Sequence, residues 1–174
     1  MIETWLTELP HGITLSCRAA GERGRPLMLF LHGFPEGAFI WDELLAHFAK
    51  PEHGGFRCVA PNLRGFERSS APAEIDAYKP ALMVQDIMAL AAAERADGRI
   101  HTLVAHDWGG PVAYALAALH RQAVKSMAIF DAPVPGDGTI LTALGRWHFG
   151  FHAESDLPEA LVEGREDIYL RHMF

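Results

Sequence analysis

The sequence predicts an α/β protein, a mostly parallel sheet with flanking helices on both faces. Three observations predict it. Short apolar runs bounded by turn residues alternate with longer segments whose apolar positions recur every three or four residues, the pattern of strand–helix–strand crossovers. The run Leu27-Met-Leu-Phe-Leu31 has no polar face, which suits a strand covered on both sides in a parallel sheet. Hydrophobic residues make up 49% of the 174 and charged residues 21%, a core-forming composition rather than a disordered one.

Each element follows in order. Residues 2–9 and 12–19 read as strands; in the second, Ile13 and Leu15 alternate with Thr14 and Ser16. Pro10, His11 and Gly12 split the pair, a turn cluster that makes a hairpin. The strand Leu27–Leu31 comes after a polar, glycine-rich loop. Trp41, Leu44, Leu45 and Phe48 then recur at helical spacing over 41–50. Residues 56–60 predict a strand, 61–72 a polar surface loop, and 81–96 a long helix with Leu82, Val84, Ile87, Met88 and Leu90 facing mostly inward. A strand over 100–105 leads to a helix over 111–120, opened by Pro111, since proline suits a first turn. Residues 126–130 form the last strand. After Asp131 two prolines and two glycines end the alternation, so the expected division is a core over 1–138 and a helical element over 139–174, broken near Pro158.

Composition excludes several functions. With 15 basic and 22 acidic residues the net charge is −7, which is unsuited to nucleic acid, since phosphate binding needs a basic footprint. No uninterrupted apolar run approaches the roughly 18 residues of a membrane span. Cys17 and Cys58 make neither a disulfide framework nor a zinc site, and read as core thiols. The first residues, Met1-Ile-Glu-Thr-Trp5, have neither a basic nor an apolar leader region, so the expectation is a cytoplasmic protein.

The chemistry lies in Val104-Ala105-His106-Asp107-Trp108-Gly109-Gly110, where a buried strand meets small residues and then a helix. This is the setting of a nucleophile elbow, usually G-x-S-x-G, with Asp107 at the nucleophile position. The following helix N-terminus favours a charged carboxylate there, and a carboxylate fixed on a rigid turn can attack an electrophilic carbon. Asp107 could equally be the N-cap of that helix, a role aspartate often fills. Asp131 ends the last strand, 24 residues later, on the side of the sheet where open α/β sheets bind ligands; it serves either as an acid for that crevice or as a cap for the next loop.

Together with Leu31-His32-Gly33-Phe34-Pro35-Glu36 after the first buried strand, the elbow resembles the α/β-hydrolase fold. Within it, H-G-F-P followed by H-D-W-G-G resembles the aspartate-nucleophile branch, the epoxide hydrolases, with haloacetate and haloalkane dehalogenases as neighbours. Asn62-Leu-Arg-Gly-Phe-Glu-Arg-Ser-Ser70 extends the resemblance, although the family more often has an acidic residue at Asn62 and a glycine at Glu67. The resemblance implies a two-step reaction: an alkyl ester forms on Asp107 and is hydrolysed to a diol. It implies an oxyanion hole from the backbone N–H groups of Phe34 and Trp108, with Asp131 as the acid orienting a histidine. In the α/β-hydrolase core with its helical cap, it implies substrate-binding roles for Trp147, His148 and Tyr169, with His148 or Tyr169 protonating the leaving oxygen. No metal or organic cofactor is implied, and the partner is a small-molecule epoxide or organohalide.

Plainer readings stand beside these. Phe34 and Trp108 could be core aromatics, His32 a hydrogen-bonded structural histidine, and the 147–152 aromatics the inward face of an amphipathic helix. A haloacid or haloalkane dehalogenase is the alternative activity, although Phe34 stands where haloalkane dehalogenases have asparagine. The family's catalytic histidine follows later strands, so the chain resembles an N-terminal portion truncated after the start of the cap. A second alternative is therefore an inactive fragment or interaction module. The strand over 126–130 would then expose an edge, an open template for a homodimer or a complementary fragment.

Overall fold

A computed structural model describes residues 1–136 and 147–173. Six strands form one sheet: β1 (Glu3–Glu8), β2 (Thr14–Ala20), β3 (Leu27–Leu31), β4 (Arg57–Pro61), β5 (Ile100–His106) and β6 (Val124–Phe130). Their order is β1-β2-β4-β3-β5-β6. The hairpin β1–β2 and the β2–β4 pair are antiparallel; β4, β3, β5 and β6 are mutually parallel. The parallel part carries α1 (Asp42–Phe48), α2 (Pro80–Glu94) and α3 (Gly109–Leu119) as its crossovers. The expected α/β class holds.

Burial explains the register. All five residues of β3 and all five of β4 are buried, as central strands covered on both faces must be. One core unites Leu15, Leu29, Leu31, Val59, Ile87, Leu90, Leu103 and Leu116; the other joins Met28, Phe30, Trp41, Leu45 and Val104. Burying each such large side chain contributes about 1.5–3 kcal/mol. Cys17 and Cys58 lie within these cores as free thiols, and burial pushes both up to about 12. β6 lies at the margin of the sheet and pairs only with β5 among the described residues, with Met127 and Phe130 exposed.

Three sequence expectations shift. The helix expected from Trp41 is preceded by a 3-10 turn, Ala38–Trp41, and ends at Phe48. α3 starts two residues before Pro111, so the proline sits in its first turn rather than opening it. The 61–72 segment is not a solvated loop. Asn62 is only 4% exposed, and Arg64 and Ser69 are buried with it. Polar residues there are buried because they complete hydrogen bonds that the sheet leaves open: the Ser16 N–H donates to Ser69 Oγ at 3.0 Å and the Asn62 N–H to the Ser16 carbonyl at 2.8 Å. Arg64 is held by Asp86, through Nε–Oδ2 at 2.7 Å and Nη2–Oδ1 at 2.6 Å.

The chain divides into two compact units, Met1–Ala132 and Pro133–Phe174. The second contains α4 (Trp147–His152), α5 (Leu157–Val162) and α6 (Glu166–Met173). Pro158 stands in the first turn of α5, so the break expected there falls just before it. The 138/139 boundary expected from sequence lies outside the described residues, as does Phe174. No helix among the described residues is long and apolar enough to cross a membrane.

Candidate active site

β3 and β5 are neighbours, with Leu31 opposite Ala105, so the segments leaving their C-terminal ends emerge side by side. β5 then turns sharply. Asp107 adopts φ +48°, a left-handed conformation that costs a non-glycine residue of order 1–3 kcal/mol and persists only where its surroundings enforce it. The Asp107 N–H donates to the Phe130 carbonyl at 3.2 Å, and the Gly110 N–H donates to the Asp107 carbonyl at 2.9 Å. Gly109 is needed for contact: a Cβ there would lie 2.6 Å from the Leu31 carbonyl oxygen.

The Asp107 side chain reaches across to the other segment. Its Oδ1 accepts the Phe34 backbone N–H at 2.9 Å, a bond between residues 73 apart in sequence. α3 has no side-chain cap bond, so its start is not held by the alternative N-cap arrangement. Phe34 is half-buried, and its peptide bond to Pro35 is cis. Trp108, with φ −58° and ψ −25°, leads into α3 and its side chain is 53% exposed, so the core-aromatic reading of it does not hold.

Asp131 follows β6 with φ +51°, and its side chain is 87% exposed. It faces His106, with Oδ2 3.7 Å from His106 Nε2; the other ring nitrogen, Nδ1, lies 2.9 Å from Glu36 Oε2. The ring therefore stands between two carboxylates brought from the ends of β3 and β6. Sequence reasoning missed this contact. The available signal was two titratable residues, Glu36 and His106, just past or at the ends of strands that the topology makes adjacent.

His32 is fully buried and has the expected structural role. Nδ1 donates to the Gly33 carbonyl at 2.8 Å and Nε2 accepts the Leu63 N–H at 3.0 Å, an arrangement that needs the neutral ring. Burial lowers its pKa in the same sense. Asn62 ties the neighbouring loops: Oδ1 accepts the Ala38 N–H at 2.7 Å, while Nδ2 donates to Ser16 Oγ at 2.9 Å and Glu67 Oε2 at 2.8 Å. The two positions where the sequence departs from the family pattern are thus bonded to each other.

Within the second unit, Trp147 stacks edge-on with His148 at 5.9 Å, His172 at 5.2 Å and Tyr169 at 6.1 Å between ring centroids. The Tyr169 hydroxyl is hydrogen-bonded to His152 Nε2. Burial raises the Tyr169 pKa and is the first cause lowering that of His152, followed by the neighbouring His148. Among the described residues no group of three or more His, Cys, Asp or Glu is arranged to hold a metal ion.

A family model described as alpha/beta hydrolase fold matches residues 26–156. The chain is 40% identical over 125 residues to epoxide hydrolase 3 of Xenopus tropicalis, covering 71% of this chain and 32% of that protein. It is 32% identical over 165 residues to an AB hydrolase superfamily protein of Bacillus subtilis, covering 91% and 55%. The crystal structure of epoxide hydrolase A from Mycobacterium thermoresistibile superposes with a TM-score of 0.87 at 28% identity, covering 100% of this chain and 56% of that one. The chain thus spans between about a third and just over half the length of these relatives. With its mostly parallel sheet and its strand–elbow–helix at Asp107, the chain belongs to the α/β hydrolase fold family.

Proposed function

We propose that this chain is the nucleophile-bearing part of an epoxide hydrolase. The observation that carries the reading is the hydrogen bond from the Phe34 N–H to Asp107 Oδ1. It fixes one oxygen of the carboxylate and leaves Oδ2 to attack. In the first step Oδ2 bonds to an epoxide carbon, the ring C–O bond breaks, and the freed oxygen takes a proton from a donor of the 139–174 segment, the beginning of a cap. His148 is preferred for that donation, with Trp147 as a second contact to the substrate, because the Tyr169 hydroxyl is already engaged with His152. Tyr169 is the weaker candidate.

The product of this step is a hydroxyalkyl ester whose carbonyl oxygen is Oδ1. Water then adds to Cγ, and negative charge grows on Oδ1, where the backbone N–H groups of Phe34 and Trp108 form the oxyanion hole. Collapse breaks the Cγ–Oδ2 bond; of the two protons the water gives up, one passes to the departing alkoxide and completes the diol, and the other returns to the donor deprotonated in the first step, leaving the carboxylate restored. Water must lose a proton in this step. The resemblance assigns that base to a histidine that follows later strands, oriented by Asp131, and the ester is expected to accumulate where that base does not act.

The test is intact mass spectrometry after incubation with styrene oxide. The expected result is one adduct heavier by the whole epoxide, located at Asp107 and missing from Asp107→Asn. A chain that stays unmodified, or an adduct that survives the substitution, overturns the reading. Halide release from a haloacetate in place of this adduct would favour the dehalogenase alternative.

Two further proposals accompany it. The margin of β6, which pairs only with β5 among the described residues, accepts a strand from a second copy, supported by its exposed Met127 and Phe130, and a monomer at micromolar concentration in analytical ultracentrifugation would overturn this. A cytoplasmic setting is supported by the two unpaired core thiols, Cys17 and Cys58; localisation of a tagged chain to another compartment would count against it.

A further inference from the structure

Two bonds join the same two segments. Phe34 binds Asp107 through its N–H, and two residues further along Glu36 binds His106, each at 2.9 Å. A carboxylate oxygen only accepts, so His106 Nδ1 carries the proton in the second bond. The segment after β3 is therefore held to the elbow at two adjacent points, one donated from each side. The first places the hydrogen-bond donor on Asp107. The second, two residues further along the same backbone, sets the angle at which that donor is presented.

We infer that Glu36 and His106 are positioning residues: their hydrogen bond holds the 33–36 segment so that the Phe34 N–H stays on Asp107 Oδ1. Glu36 acts through the backbone of its own segment and His106 through the strand end that carries Asp107; neither bonds to the reacting carbon. This matters because a carboxylate with one oxygen fixed in advance presents the other to the epoxide without reorganisation during the attack, and a displacement of about 1 Å costs on the order of a hundredfold in rate. Asp131 completes the arrangement from the far side of the imidazole, 3.7 Å from Nε2. As a catalytic statement this inference rests on Asp107 being the nucleophile, whereas the clamp itself does not.

The experiment separates the two. In the 174-residue chain labelled with nitrogen-15, hydrogen exchange of the Phe34 amide reports the clamp, and the rate of adduct formation with styrene oxide reports the chemistry. Glu36→Ala is expected to lower Phe34 protection about tenfold, the equivalent of one hydrogen bond, and to slow ester formation by a similar factor. Glu36→Gln keeps an oxygen acceptor for Nδ1–H and restores both to within about twofold. His106→Ala should match Glu36→Ala, and the double variant should be no worse than either, since the two act as one unit. Unchanged Phe34 protection in Glu36→Ala, in a variant whose core amides remain protected, overturns the inference. So does a Glu36→Gln variant no better than Glu36→Ala. If protection falls but the parent chain forms no adduct, the clamp stands as a device of the fold and the nucleophile assignment falls.

Discussion

Gly33 and Asp107 approach so closely that a methyl group on Gly33 would lie 2.4 Å from Asp107 Cβ and 2.6 Å from its Oδ1. The two residues sit at the ends of β3 and β5, parallel neighbours in the sheet, and the missing side chain of one makes room for the other. The glycine of the His-Gly pair is thus required by the carboxylate it faces. Gly33→Ala is expected to push the elbow out of place, costing about 1–3 kcal/mol as overpacked sites do. Urea denaturation gives the stability loss, and the adduct on Asp107 should fall more than the folded fraction does, because the carboxylate itself is displaced.

Arg57 and Glu94 form a buried pair, 1% and 2% exposed, with Nε–Oε2 at 2.8 Å. Arg57 also donates to the Gly21 carbonyl at 2.9 Å and pairs with Glu3, while its Nη2 has no hydrogen-bond partner among the described residues. With Glu94 removed the buried guanidinium keeps only the Gly21 carbonyl and the half-exposed Glu3, so Glu94→Ala should destabilise the chain by about 3 kcal/mol, the lower end for a broken buried pair. The double replacement Arg57→Met with Glu94→Leu removes both charges and should cost clearly less. Equal losses in the two variants would show that packing, rather than the stranded guanidinium, sets the penalty.

His32 gives the fold a pH dependence of known sign. Burial holds its pKa below the ordinary 6.5, so in the unfolded chain it takes up a proton at a pH where the folded chain does not. As pH falls below 6.5 the unfolded state binds more protons, and stability declines until the folded ring is also protonated. His101 and His152, whose pKa values are also lowered by burial first, act in the same direction. The thermal midpoint should therefore drop between pH 7.5 and pH 5.5. His32→Gln should be less stable at pH 7.5 yet show a shallower slope; a slope equal to that of the parent chain would assign the effect elsewhere.

The two thiols should be unreactive while the chain is folded. Both are buried and pushed up to about 12, so at pH 8 almost none is thiolate, the form that reacts. Iodoacetamide at that pH should label neither in the native protein and both in urea. Prompt labelling of Cys17 or Cys58 without denaturant would mean that the β2 or β4 region opens locally.

Much of the sheet was legible along the chain. Leu27–Leu31 could be read as a central strand because a segment covered on both faces needs no polar residue, and its observed bounds coincide with the apolar run. The elbow was legible for a related reason: a sharp bend leaves little room, and small residues at the right spacing mark it. Asn62, Arg64 and Ser69 were misread because a polar stretch after a strand looks the same whether water or distant backbone satisfies it. Here the distant backbone does so, with Ser16 bonded to Ser69 and Asn62 across roughly fifty residues.

The sequence by itself determined which residue types could do chemistry, and where the chain must bend to present them, because hydrophobic periodicity and small-residue turns are local properties. Only the tertiary structure decided who meets whom. The strand order β1-β2-β4-β3-β5-β6 brings the ends of β3, β5 and β6 together. Phe34 thereby reaches Asp107, and Glu36 and Asp131 flank His106. Such pairings join residues up to 73 positions apart, and their existence depends on strand adjacency set by burial across the whole sheet, a sum that no local pattern carries.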